Sequence, residues 1–364
     1  MAFGFDLNKL KSLFGADLKK GSNGPIVGVD VGASSIKLVQ IHMEKEVPTL
    51  DTYGELQLGP YDKTDIGRAV SLSLQRSTEA FVDIVRESSV TGTVAALSIS
   101  YAASFSTTLT LNATSEEEIA SLVPVEARKY IPVSLNEVTL DWFTLATNEE
   151  KKQTTIFLVA IHNDGFNDLQ NVLTSAGFSL AYAELEPFSA TRSALSPEST
   201  TVAIIDLGAS ATKLYLIEEG TLQKTHSIAG GGVALTTALA TGLSIPFADA
   251  EEQKRLVGLG AHEENPNIGQ LLRGSLDKTT NEIARVLSDY TARSGKEFAT
   301  VLLIGGGASM VGIDAYLGDK LQRKVTISTP FNKVAYPAFL EDSLKEAGPS
   351  FAVAIGAALR QSIV

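Results

Sequence analysis

Short apolar runs rich in β-branched residues, set off by glycine and polar clusters, recur along this chain and predict strands; stretches with apolar positions at helical spacing alternate with them. IVGVDV at 26–31 reads as a strand, Gly32 to Ser34 as a turn and IKLVQI at 36–41 as a second strand. The unit is a β-hairpin with Asp30 at the end of its first strand. TVAIIDLGASATKLYLI at 201–217 repeats it: Asp206, Gly208, Ala209, Ser210, Lys213 and Leu214 match Asp30, Gly32, Ala33, Ser34, Lys37 and Leu38 position for position. An internal duplication at this spacing predicts two similar domains that present their hairpins to one ligand from opposite sides.

Other segments extend the α/β pattern. SEEEIASLVPVEARKYIPVSLNEVTLDWFTL at 115–145 opens with Ser115 as N-cap and acids in the first turn, predicts a helix to Tyr130 and enters a strand after Pro132. QTTIFLVAIHNDGFNDLQNVLTSAGFSLAYAEL at 153–185 reads as strand, helix, strand, and TVLLIGGGASMVGIDAYLGDKL at 300–321 as a buried strand, three glycines and a helix. At the start of the chain, Phe3, Leu7, Leu10 and Phe14 stand opposite Lys9, Lys11, Lys19 and Lys20 at helical spacing. A short amphipathic helix there would pack on its own domain or touch a membrane or partner, and GSNGP at 21–25 breaks it.

The glycine-bearing turns carry the chemistry. A glycine two residues after each aspartate lets the backbone approach a phosphate, with the N–H and hydroxyl groups of Ser34, Ser35, Ser210 and Thr212 as donors. Asp30 and Asp206 would hold a magnesium ion, usually through water. Gly305, Gly306 and Gly307, ahead of Ser309, leave no side chains between the backbone and a flat nucleoside. The formal net charge of -12 opposes nucleic-acid binding, and the absence of cysteine removes disulfides, thiolate nucleophiles and thiolate-bound metals. His42, His162, His226 and His262 are isolated in sequence and read as surface or core residues. No targeting segment stands out, which suggests a cytoplasmic protein.

Together these motifs resemble the actin, Hsp70 and sugar-kinase superfamily, whose two related domains close on ATP through two phosphate hairpins and an adenosine glycine motif. The resemblance implies an α/β, actin-like (ribonuclease H-like) duplicated fold binding ATP and Mg, with Gly32, Ala33, Lys37, Gly208 and Ala209 in its hairpins. ADAEEQKRLVG at 248–258 is similar to a ribose-contacting helix of bacterial actins and places Glu251 and Lys254 at the nucleotide; ELEPFSATRSAL at 184–195 is similar to the connecting helix whose acid positions the attacking water, here Glu186. By themselves Glu251 and Lys254 would be an exposed helix pair and Glu186 a helix N-terminal acid.

The pattern E-A-x-x-Y-I-P at 126–132 followed by N-E-V-x-L-D-W at 136–142 is similar to the PilM family of type IV pilus assembly, a relative of the division protein FtsA. This implies a first-domain core at 26–102, 181–200 and 350–364, an inserted subdomain at 103–180, and a second domain at 201–349 with a smaller part near 241–275. It also implies a cytoplasmic scaffold that grips the N-terminal tail of the inner-membrane protein PilN and reaches the membrane only through partners. PilO, PilP and the motor ATPases would be more distant partners, self-association stays open, and hydrolysis is not required by binding. A small-molecule kinase lacks support because no D-x-G-T-x-x-x-R hairpin is present, and an FtsA-like division protein usually carries an amphipathic helix after a linker, whereas this chain stops at Val364.

Overall fold

A computed structural model describes residues 24–196, 201–260 and 267–363, so the amphipathic helix expected over Phe3 to Lys20 lies outside the described residues. Strands β1 (Ile26–Val31), β2 (Ser35–Glu44) and β3 (Val47–Gln57) form an antiparallel meander, and α1 (Leu74–Glu87) leads to β4 (Val94–Ile99), parallel to β1. β5 (Ser104–Leu111), α2 (Glu116–Ala127), β6 (Val138–Asn148) and β7 (Gln153–His162) follow, then α3 (Asn163–Ser175) and β8 (Ser179–Leu185), parallel to β4. After α4 (Glu186–Ala194), the strands β9 (Val202–Leu207), β10 (Ala211–Glu218) and β11 (Thr221–Ala229) make a second meander. Helices α5 (Gly232–Leu243), α6 (Phe247–Val257) and α7 (Asn267–Ser294) precede β12 (Thr300–Ile304), α8 (Ile313–Leu321), β13 (Lys324–Ile327) and the closing α9 (Glu341–Ala358).

The duplication read from the hairpins extends to whole sheets. One sheet runs β3-β2-β1-β4-β8 and the other β11-β10-β9-β12-β13, each with two antiparallel pairings followed by two parallel ones. A third sheet, β5-β7-β6, is antiparallel throughout and packs its apolar face, including Ile156, Leu158 and Ala160, on Ile119 and Val123 of α2. Ser115 caps α2 by accepting from the Glu118 N–H, as expected, but the helix proper ends at Ala127 and Tyr130 follows in a turn. A further 3-10 turn at Leu135–Glu137 separates Pro132 from β6.

Packing moves three expected boundaries. The third sheet covers 104–162, while 163–180 belongs with the first sheet: Phe166, Val172, Leu173 and Phe178 join its core, and the Phe178 ring meets Phe81 of α1 edge-on at 5.4 Å. The segment near 241–275 is part of a helical layer, α5 to α7, lying on the second sheet through Leu239, Ile268 and Leu272. Phe331, Val334 and Leu344, expected in the second domain, pack instead with Ile41 and Leu50 of the first sheet.

Helix α9 binds the two halves. A Cβ on Gly28 of β1 would lie 2.0 Å from the Ala354 carbonyl oxygen, and one on Gly356 would lie 1.8 Å from that of Ser189 in α4. Both contacts are therefore backbone against backbone. Beside them Glu184 takes Arg192 Nη2 at 2.8 Å and the Ser189 hydroxyl at 2.5 Å, with Arg360 at 3.5 Å, while Arg192 also donates to the Gly356 carbonyl at 2.5 Å. Burial alone would raise the Glu184 pKa, but Arg192, Arg360 and Ser189 hold it below the ordinary carboxylate value.

Two outcomes are expected. Alanine at a helix interior usually improves on glycine, yet Gly356→Ala must push α4 from α9 and should destabilise the chain by about 3 kcal/mol. An unchanged urea midpoint would contradict the backbone contact. Glu184 is depressed in the folded state, so its contribution is complete above its unfolded pKa and is lost as pH falls through the folded one. Glu184→Gln should cost about 3 kcal/mol at neutral pH by leaving the arginines unpaired, and should flatten the decline in Tm below about pH 4.5.

Candidate functional site

The two hairpin turns are built alike. Gly32 N–H donates to the Ser35 carbonyl at 2.9 Å and Gly208 N–H to that of Ala211 at 3.2 Å, and Cβ atoms added at these glycines would press on the same acceptors. Register places Asp30 opposite Lys37 and Asp206 opposite Lys213, so each hairpin carries a cross-strand acid and base at its mouth. The two pairs share one electrostatic neighbourhood: Asp30 is acted on by Lys37, Lys213 and Asp206.

The lysines are used differently. Lys37 turns to the Ser35 hydroxyl at 2.7 Å and to Glu55 of β3 at 3.3 Å. Lys213 bridges Glu186 Oε2 at 2.8 Å and Asp206 Oδ2 at 3.4 Å, and the buried Tyr215 hydroxyl donates to the same Asp206 oxygen at 3.4 Å. Burial would lower the Lys213 pKa, but the Asp206 and Glu186 carboxylates overcome it and hold the ammonium charged. Burial pushes Glu186 up to about 6, with Lys213 opposing and Asp206 adding to the rise, and burial also raises Asp30 and the Tyr215 phenol. Glu186 gives its other oxygen to the Tyr101 N–H at 2.9 Å. Expected as the residue that positions water, it is instead 3% exposed and bonded through both oxygens.

The glycine cluster has three separate roles. Gly305 has φ +83°, and a Cβ there would sit 2.4 Å from Asp206 Oδ1; one on Gly307 would sit 2.7 Å from the Leu207 Cβ. At Gly306 an added Cβ meets nothing within 4 Å. Only the middle glycine is thus free of protein neighbours, while the outer two seat the turn against β9. Ser309 donates to the Glu346 carbonyl of α9 at 3.4 Å.

A second triple glycine, Gly230 to Gly232, escaped the motif reading. Its N–H at Gly232 donates to the Gly208 carbonyl and the next, Val233, to that of Ala209, which docks the start of α5 on the second turn. Thr212 fixes the approach by donating to the Gly230 carbonyl at 3.0 Å. Glu251 and Lys254 stand beneath this turn, and they are not an exposed pair: Glu251 is buried, accepts from Lys254 at 2.6 Å and Arg255 at 2.8 Å, and takes the Thr236 hydroxyl at 2.5 Å. Lys254 also reaches the Gly232 carbonyl at 3.3 Å. Burial raises the Glu251 pKa less than Lys254, Thr236 and Arg255 lower it, and burial lowers that of Lys254.

One segment runs from the first turn to this helix. Leu58 N–H donates to the Ser34 carbonyl and Val70 N–H to that of Ala33, so residues 58–70 leave and rejoin the first hairpin. At its far point Gly67, with φ +87°, lies against Glu251, where a Cβ would meet the carboxylate carbon at 2.7 Å. The Arg68 guanidinium stands 4.0 Å over the Phe247 ring. Asp30, Asp206, Glu186 and the two hairpins come together; Ser309 is drawn onto α9, and Glu251 with Lys254 joins through Gly232.

Duplicated sheets with paired acid-bearing hairpins, a glycine turn beside the second and two linking helices define a two-domain protein of the actin-like class. The family model for type IV pilus assembly protein PilM matches residues 28–362, and the chain belongs to that family. Its fold is similar to that of a PilM-PilN type IV pilus biogenesis complex (TM-score 0.78, 23% identity, 93% of this chain and 98% of that one). It is also similar to MreB5 of Spiroplasma citri bound to AMPPNP (TM-score 0.51, 14% identity, 92% of this chain and 95% of that one). Cell division protein FtsA of Bacillus subtilis (strain 168) is 24% identical over 238 residues, which cover 59% of this chain and 52% of that protein. The chain spans about half the length of the curated relatives it matches.

The three glycines separate cleanly in a stability measurement. Gly306→Ala should leave Tm within about 1 °C, whereas Gly305→Ala, at positive φ and against Asp206, should lower it by several degrees, equivalent to about 2 kcal/mol. Equal effects at the two positions would contradict the open side of Gly306.

Proposed function

We propose that the chain is a nucleotide-binding scaffold of type IV pilus assembly that holds ATP between its two sheets and grips an extended peptide with its third sheet. The single observation carrying the nucleotide part is that two matching hairpins bring Asp30, Asp206 and Lys213 into one electrostatic neighbourhood, with the unobstructed Gly306 in the glycine turn next to Asp206. In this reading the turns at Gly32 to Ser34 and Gly208 to Ser210 receive phosphates through backbone N–H groups, and the glycine turn receives the nucleoside. Glu186 serves to orient Lys213, and binding is the function this geometry supports. A magnesium ion carried on the phosphates would meet Asp30 and Asp206 through water, since Asp206 already serves Lys213 and Tyr215.

The peptide part rests on the third sheet, which contributes none of the phosphate-facing residues. Residues 26–102 and 163–196 with α9 would form the first domain, 104–162 the insertion and 201–327 the second domain. A peptide laid along the insertion would gain main-chain hydrogen bonds and lose conformational entropy, so micromolar affinity, about 8 kcal/mol, is expected. The resemblance supplies its identity, the cytoplasmic tail of PilN. No single helix among the described residues is long and apolar enough to cross a membrane, and contact with the inner membrane would come through that partner.

Two measurements test the halves independently. Gly306→Val should fold normally and lose nucleotide binding by calorimetry; retained affinity would remove the nucleoside assignment. Hydrogen exchange on the intact chain with a PilN-tail peptide should show new protection within 100–162, and protection confined to the second sheet would overturn the groove.

A further inference from the structure

Residues 58–70 run from the first hairpin turn to the support of the second. Both ends are tied to the first turn, by the Leu58 N–H on the Ser34 carbonyl and the Val70 N–H on that of Ala33. The stem is tied to α1 as well, where Tyr61 donates to Asp83 at 2.6 Å and Arg76 to Asp62 at 2.9 Å. The tip crosses to α6, which is itself fastened to the second turn: Glu251 accepts from Lys254, Lys254 reaches the Gly232 carbonyl, and the Gly232 N–H donates to the Gly208 carbonyl.

The two attachments differ in kind. Hydrogen bonds fix the segment to the first domain, whereas packing seats its tip on the second: the Arg68 guanidinium lies over the Phe247 ring and Gly67 lies against the Glu251 carboxylate. A cation over a ring at a partly exposed site is a weak contact, so the tip parts from α6 far more readily than the stem parts from α1. We propose that residues 58–70 are a strap over the cleft, and that nucleotide enters and leaves when the tip lifts from α6. The proposal rests on the nucleotide reading above and adds its regulation. Every contact of the tip is with protein, so the strap closes over a filled or an empty cleft alike, and passage in either direction waits for the same opening.

The test is stopped-flow exchange of fluorescent mant-ATP in magnesium, with bound probe chased by unlabelled ATP. Arg68→Ala should raise the association and dissociation rates together by about fivefold and leave Kd within about twofold. Gly67→Ala, whose methyl would meet the Glu251 carboxylate carbon at 2.7 Å, should act in the same direction. The opposite intervention uses the absence of cysteine: Ile66 adjoins Gly67, Arg255 bonds to Glu251, and both are exposed. Ile66→Cys with Arg255→Cys, joined by a short bismaleimide, should slow both rates by at least about tenfold relative to the same pair left unlinked. Unchanged rates in Arg68→Ala or in the cross-linked chain would overturn the strap and leave the nucleotide reading standing. Faster dissociation alone, with Kd weakened to match, would make Arg68 a contributor to affinity and overturn the strap as well. Absence of mant-ATP binding by the unmodified chain would remove the reading and the inference together.

Discussion

Two backbones can lie within van der Waals distance only where no side chain stands between them, and the whole molecule is organised by two such places on α9. Gly28 brings that helix onto the central strand of the first sheet, and Gly356 brings it onto α4, the segment that leads into the second sheet. Two chain crossings between the domains are thus packed on each other, with Glu184, Arg192 and Arg360 satisfying the charge that this burial creates. Charged groups taken from water are tolerated here because each finds partners of opposite sign within hydrogen-bond reach. The position of Glu186 follows directly, since it is the first residue of α4 and cannot move unless the crossing does.

The cleft inherits its order from that crossing. Lys213 connects the second sheet to the start of α4, so the electrostatic centre of the site is tied to the mechanical centre of the fold. The glycine turn after β12 is tied to the same place: Gly305 N–H donates to the Pro349 carbonyl within α9. The glycine turn after β12 and the domain-linking helix are one connected structure, so a displacement at the turn bears on how the sheets are held.

Much of this was legible in the amino-acid sequence because it is local. Ten contiguous residues encode each hairpin, and their period-two alternation sets the register that pairs Asp30 with Lys37 and Asp206 with Lys213. The strand, glycine turn and helix from 300 to 321 are equally local. What the sequence conceals depends on distant partners. α3 is an amphipathic helix whose partner is set at a distance: its Phe166, Val172 and Leu173 join the core that holds Phe81 of α1, and Phe178 beyond its end meets the Phe81 ring. The Glu251 and Lys254 pair has the spacing of a solvent-facing helix pair, and its burial is set by Thr236 and Gly67 from other segments. Gly230 to Gly232 carries no acid or hydroxyl of its own to mark it, although three adjacent glycines ahead of a helix were a signal that could have been followed. Glu186 stands where its motif placed it; its engagement by Tyr101 and Lys213 could come only from the fold.

The segment 58–70 has a mechanical meaning. The sheets are joined at the α4–α9 crossing, and across the opposite side of the site the Arg68 guanidinium rests on Phe247 while Gly67 rests on Glu251. A body attached at one edge swings freely, but one attached at two edges cannot gape without parting one of them. Lifting Arg68 from the ring costs about 1 kcal/mol, a small threshold that thermal motion crosses often. The molecule is thus a box joined along one edge by the α4–α9 crossing and fastened at another by a light catch, Arg68 on Phe247 with Gly67 on Glu251.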